Sequence, residues 1–467
     1  MNRLLLALAA TAVLAPTAHA DGDPKIAFEK YTLPNGLEVI LAPDPALPLV
    51  AVNVWYHVGS GYEVPGKSGF AHLFEHMMFQ GTKNTGADQH FPVLRSAGAD
   101  NINGTTNSDR TNYFEVVPAN QLETALWLES ERMGHLLDGL DKKQMDNQID
   151  VVRNERRQSY DNRPYSKARF AMYEALYPEG HPYRHETIGL HEDLERASVD
   201  DVKRFFKTWY VPANATITLA GDFDPAAAKQ VIAKWFGSFP ASKKPEVVAI
   251  PAPVIAAKTI EVEDPFARLR EVTFAWHSPA LYADGDAELD IAARALGEEG
   301  TGRLYKQLVY DKQLAQSVRV GQDGSTFSGI FEITVTLRGK ADLAEVEKIV
   351  LAEVDRIGKE PLDAREIARV AAQREARVIR SLENLNTRAN ILQGYNHYLG
   401  DPDRITWDLD RFRKASADKI RATVAKFLTV DHAITVITKP APEEGGRPRE
   451  RGHGPVVPHH DRDGGAQ

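Results

Sequence analysis

The chain has 467 residues, 43% of them hydrophobic, a formal net charge of −9 and no cysteine. Such a length and apolar content support a substantial core, expected in two domains, and the lack of cysteine rules out disulfides as a source of stability. With a net negative charge and no basic stripe, nucleic acid is excluded as a partner.

The N-terminus reads as an address. Asn2-Arg3 is followed by an apolar run from Leu4 to Leu14 and by Ala18-His19-Ala20, a small-x-small cleavage site. Residues 1–20 are expected to be a signal peptide, leaving a periplasmic or secreted protein. The run is too short to span a bilayer, and no later stretch has the length and apolarity of a transmembrane helix.

After the signal, 27–41 reads as a hairpin around the Asn35-Gly36 turn, and Val50 to Val58 as a strand rich in Val, Trp and Tyr. A glycine-rich loop leads into Gly69-Phe70-Ala71-His72-Leu73-Phe74-Glu75-His76-Met77. Residues four apart share one face of a helix, so His72 and His76 can aim two imidazoles at one point, the geometry of two ligands to one zinc ion. Glu75 stands beside them, where a carboxylate can take a proton from water at the metal. Two histidines on an apolar helix are more often a core pair than a metal site, so the motif needs downstream support.

Asp100 to Val117 reads as a second hairpin whose first strand, Asn101 to Thr106, is polar and contains Gly104. Such a strand suits a sheet edge, where it can pair with an extended peptide. Asn120 to Leu137 and Lys142 to Tyr160 are helical, and Glu155 lies on the second where the apolar seam meets the charged face. A helix over 200–210, a strand over 215–220 and a helix over 225–236 close the first half. The expected division is 21–238 for an N-terminal domain with the candidate zinc site, 239–257 for a proline- and lysine-rich linker, and 258–439 for a homologous C-terminal domain. The second half repeats the element order of the first: a strand over 271–276, helices over 287–296 and from 300 to 309, a strand over 328–337, helices over 341–357, 361–381 and 417–427, and a strand over 433–438. It has no His-x-x-Glu-His. From 440 to 467 the chain is Pro, Gly, Arg, Glu and His and is expected to be a disordered tail.

In these motifs the chain resembles the pitrilysin and insulinase type of zinc metallopeptidase, the inverzincins, whose helix carries H-x-x-E-H. It is most similar to the short two-domain members related to the mitochondrial processing peptidase beta subunit. The matching stretches are Leu33 to Leu37, Gly69 to Thr82, Asn103 to Tyr113, Val151 to Glu155 and His181-Pro182-Tyr183. The resemblance implies an α+β fold of two similar halves, each a mostly antiparallel sheet with helices packed on one face. It implies one zinc ion (Zn2+) per chain held by His72, His76 and Glu155, with Glu75 as general base and Asn103 holding the substrate backbone. The implied activity is hydrolysis of peptides or unfolded protein segments by zinc-activated water; the alternative is a non-catalytic scaffold or binding subunit.

Two departures from the pattern stand out. Many relatives carry a glutamate two helical turns before the ligand glutamate, where this chain has Gln148. Complete sites of the family also draw an arginine and, seven residues later, a tyrosine from the second half. Here those positions are Val309 and Gln316. The resemblance therefore implies a homologous partner subunit that supplies the Arg/Tyr pair, with a homodimer as the competing arrangement.

Overall fold

The computed structural model describes residues 22–248 and 250–442. The signal peptide expected at 1–20 lies outside the described residues, as does the expected tail from 443 onward.

The first half is built on a six-stranded sheet. Its strands are β1 (Glu29–Thr32), β2 (Glu38–Pro43), β3 (Leu49–Tyr56), β4 (Asp100–Thr106), β5 (Thr111–Pro118) and β6 (Ala215–Gly221), in the order β1-β2-β6-β3-β5-β4. The expected hairpin forms with Thr32 opposite Glu38. Gly36 turns it at φ +96°, and a Cβ there would stand 2.7 Å from that of Ala213. Only β2 and β6 run parallel; the other pairings are antiparallel.

The second half has β7 (Lys258–Asp264), β8 (Glu271–Ser278), β9 (Ala315–Gly324), β10 (Gly329–Leu337) and β11 (Ile434–Pro440), in the order β7-β11-β8-β10-β9. Without β1, the two orders superimpose strand for strand, each with one parallel pair at the same place. The internal repeat read from element order is therefore a repeat of topology.

Alternation along the strands sends Val50, Val52, Val54 and Tyr56 into the core beneath the first half's own helices. The opposite face carries Asn53, Trp55, Asn112 and Thr216, and it is covered by a helix from the other half, Leu385–Leu399. The exchange is mutual. Helix Ser166–Leu176 of the first half packs Ala168, Met172 and Leu176 against Ala275, Ile434 and Val436 of the second sheet. Each half thus keeps its own helices on one face and receives one helix on the other.

Neither exchanged helix, nor β7 or β9, is expected from sequence pattern. The 385–399 helix docks through a mixed surface: Ala389 and Leu392 pack on Ile40, Ala42 and Ala220, and amides reach across beside them. Asn53 Nδ2 donates to Asn386 Oδ1 at 3.0 Å and to Asn390 Oδ1 at 2.8 Å, and Gln393 Nε2 donates to the Thr216 carbonyl at 2.8 Å. Amides interleaved with the apolar contacts weaken the apolar stripe that would mark this helix in sequence. A second difference lies at 300–309. The helix expected there begins at Arg303 as a single α turn, Arg303–Tyr305, and continues as a wider π-helix, Lys306–Asp311. Between Phe236 and Lys258 the described residues form no regular helix or strand.

Candidate metal centre

The helix expected from His-x-x-Glu-His spans Phe70–Met77. Phe70, Leu73, Phe74 and Met77 are fully buried against the sheet and its helices, which leaves His72, Glu75 and His76 on the other side. The start of the helix is held firmly. Gly69 adopts φ +84°, and a Cβ there would meet the Ile188 carbonyl at 2.8 Å. The buried Glu63 carboxylate accepts from the Gly69 N–H at 2.9 Å and the Ala71 N–H at 2.7 Å, so an acid occupies the positive end of the helix.

Burial pushes the Glu63 carboxyl up to about 8 from the ordinary 4.5, only partly countered by those backbone N–H groups. Below pH 4.5 folded and unfolded chains both hold this proton; between 4.5 and about 8 only the folded chain keeps it. The stability that Glu63 contributes is thus fully present below 4.5 and is lost as pH rises towards 8. The expected result is a urea midpoint that falls less between pH 5.5 and 8.5 in Glu63→Gln than in the wild type; equal falls would remove Glu63 from the pH dependence.

Glu155 reaches the histidines from a second helix, Lys142–Arg156, which begins with a capping box between Asp141 and Gln144. His76 Nε2 lies 3.3 Å and His72 Nε2 3.7 Å from the same oxygen, Glu155 Oε2. A tetrahedral zinc with bonds near 2.1 Å sets neighbouring donors about 3.4 Å apart, so these atoms fit the edges of such a site. The side chains are 12%, 23% and 34% exposed for His72, His76 and Glu155, partly shielded but reachable from solvent. Gln148, two turns before Glu155 on the same helix, is buried.

Glu75 is not part of this triad. Its carboxylate accepts a hydrogen bond from Thr106 Oγ1 at 2.6 Å. Thr106 ends β4, which lies at the sheet edge as expected, with β5 as its one strand neighbour among the described residues. Asn103, half-buried, sits on the same strand opposite Phe114. The tip of the β4–β5 hairpin is tied to both halves: buried Asp109 accepts from Tyr183 Oη of the first half at 2.9 Å, and from Tyr398 Oη at 2.8 Å and the Thr326 N–H at 3.0 Å of the second. Sequence reading missed Glu63, Thr106 and Asp109. The last two fall inside a matched stretch, but nothing in composition or spacing marks their roles.

A second cluster, His90, Glu115 and Glu129, is fully buried behind the site. Arg132 fills its centre, donating to Glu129 at 2.6 Å and lying over the Tyr113 and Phe79 rings. The guanidinium takes the place a metal would need, and the cluster ties the 122–139 helix to β5 and to His90.

The Arg/Tyr positions of the second half are apart in character as well as type: Val309 is buried and Gln316 exposed. Beside them Tyr305 and Tyr310 meet edge to face, with Tyr310 56% exposed.

Two histidines and a glutamate from two helices, with a separate glutamate one residue before the second histidine, form an H-x-x-E-H cluster that could hold a metal ion. Residues 38–187 match the family described as "Insulinase (Peptidase family M16)", and 196–374 match "Peptidase M16 inactive domain". The chain belongs to the M16 peptidase family. It is 29% identical over 378 residues to the zinc protease PqqE of Helicobacter pylori, covering 79% of this chain and 83% of that protein. It is 24% identical over 361 residues to the mitochondrial-processing peptidase subunit beta of Blastocladiella emersonii, covering 75% of each. Among solved structures, a protease from Helicobacter pylori superimposes with a TM-score of 0.82 at 26% identity, over 89% of this chain and all of that one. The family and the two-sheet α+β fold are thus as expected. No helix among the described residues is long and apolar enough to cross a membrane.

Proposed function

We propose that this chain is a zinc-dependent endopeptidase acting on peptides or unfolded protein segments, periplasmic or secreted after loss of residues 1–20. The observation that carries the reading is the convergence of His72, His76 and Glu155 at zinc-like donor spacing. Under this reading 21–238 is the peptidase domain and 258–439 its non-catalytic homologue. The names of the M16 relatives, zinc proteases, support the activity class.

His72, His76 and Glu155 would hold the zinc. Bound there, zinc supplies a Lewis acid that acidifies water and polarises a carbonyl. The chain's own residues do the rest. The free edge of β4 pairs with the peptide backbone in extended form, and Asn103 on that strand holds the substrate main chain. Glu75 accepts the proton of the attacking water and returns it to the leaving amine.

One zinc per chain is the expected content of dialysed wild-type protein, and Glu155→Gln is expected to lose it, since the amide brings neither charge nor an equivalent donor pair. A wild type without zinc, or a mutant that retains it as tightly, would overturn the assignment. The second reading, a non-catalytic scaffold or binding subunit, is favoured by Val309 and Gln316 at the positions of the missing Arg/Tyr pair. It predicts zinc binding without hydrolysis under any pairing.

A further inference from the structure

We infer that Thr106 is a positioning residue for Glu75, so that the strand that receives the peptide also holds the base; the inference rests on the reading of Glu75 as base. Thr106 Oγ1 lies 2.6 Å from a Glu75 carboxylate oxygen and 3.4 Å from Thr111 Oγ1. A threonine has one hydroxyl proton, and the short contact to an ionised acceptor takes it. Thr111, directly opposite on β5, spends its own proton on the Val58 carbonyl at 2.9 Å, which fixes the strand end from behind.

Gly104 adds a second, independent observation. It lies two residues earlier on the same face of β4. A Cβ there would stand 2.9 Å from Glu75 Cγ, 3.1 Å from the Phe79 ring and 3.2 Å from the Tyr113 ring. The backbone of β4 is therefore laid directly on the stem of Glu75, while Thr106 grips its head. With one oxygen held, the carboxylate is kept out of the His72–His76–Glu155 triad and its second oxygen is left to accept a proton. A carboxylate of this reach, released beside a divalent cation, becomes a competing ligand. Thr106 thus separates the role of base from that of ligand, and the shared strand couples peptide pairing to the setting of the base.

The test uses Thr106→Val, which keeps the shape and removes the donor, Thr106→Ser, which restores the hydroxyl, Glu75→Gln and the Thr106→Val/Glu75→Gln double variant. Two readouts are taken: steady-state hydrolysis of an unstructured peptide, with a homologous subunit present for all variants alike, and the visible absorption spectrum of each protein loaded with Co2+. Thr106→Val is expected to lower kcat by on the order of 10-fold with KM unchanged, and Thr106→Ser to recover wild-type kcat. The cobalt spectrum is expected to shift in Thr106→Val, to stay wild-type in Thr106→Ser, and to return to the single Glu75→Gln spectrum in the double variant. The double variant should be no slower than Glu75→Gln alone. A Thr106→Val protein with wild-type kcat and spectrum would overturn the inference, as would a further loss in the double variant. The two readings fail separately. Activity in Glu75→Gln equal to wild type defeats the base assignment, whereas an inactive Glu75→Gln beside an unaltered Thr106→Val defeats the Thr106 role alone.

Discussion

Glu75→Gln is expected to retain its zinc while hydrolysis of an unstructured peptide falls by a factor on the order of 10² or more. Retention follows from geometry. The donors that meet at one oxygen of Glu155 are His72 and His76, and Glu75 is instead engaged by Thr106. The loss follows from chemistry, because an amide cannot take the proton of the attacking water. Metal analysis and peptide turnover on the same preparation check both halves of the expectation. Zinc lost with the mutation would make Glu75 a ligand; activity kept would remove it from the mechanism.

The second large effect concerns a partner. The purified chain alone is expected to bind zinc yet cleave peptides poorly, and a homologous subunit carrying the Arg/Tyr pair is expected to raise turnover by on the order of 10². The physical reason is charge. The carbonyl oxygen becomes negative during attack, and groups aimed at it are worth most in a shielded cleft. This chain offers buried Val309 and exposed Gln316 where the family places a cation and a phenol. The relative from Blastocladiella emersonii is itself named as a subunit. A homodimer is the competing outcome, with exposed Tyr310 of each copy standing in for the missing phenol. Turnover is measured for the chain alone, for the mixture and for Tyr310→Phe. Full activity from the chain alone would sink the heterodimer, and loss of that activity in Tyr310→Phe would point to the homodimer.

Much of this molecule is written locally. The Asn35-Gly36 turn, the valine-rich β3 and the apolar flank of the 70–77 helix each follow from a few adjacent residues. Helical periodicity alone puts His72 and His76 on one side, because four residues make nearly one turn. The polar, glycine-bearing β4 announces an edge, and an edge it is. The repeat of the two halves is legible too, since each copy needs the same order of elements to build the same sheet.

Other features depend on distance in sequence collapsing to distance in space. Glu155 looks like a solvated glutamate on its own helix and acquires meaning when its carboxylate comes 3.3 Å from His76. Thr106 and Glu75 are unremarkable apart and form a 2.6 Å hydrogen bond together. The exchange of helices 166–176 and 385–399 between the halves left only a weak apolar signature in the second, because its buried face mixes Ala389 and Leu392 with Asn and Gln side chains satisfied by Asn53, Trp55 and the Thr216 carbonyl. Sequence by itself determined most of the first half's elements, the repeat and the placing of His72 and His76 on one helix face, since these rest on periodicity and turn chemistry. The tertiary structure alone decided the Glu155 convergence, the grip of β4 on Glu75 and the interlocking of the halves, since each depends on polar groups that find their partners only when separate segments are packed together.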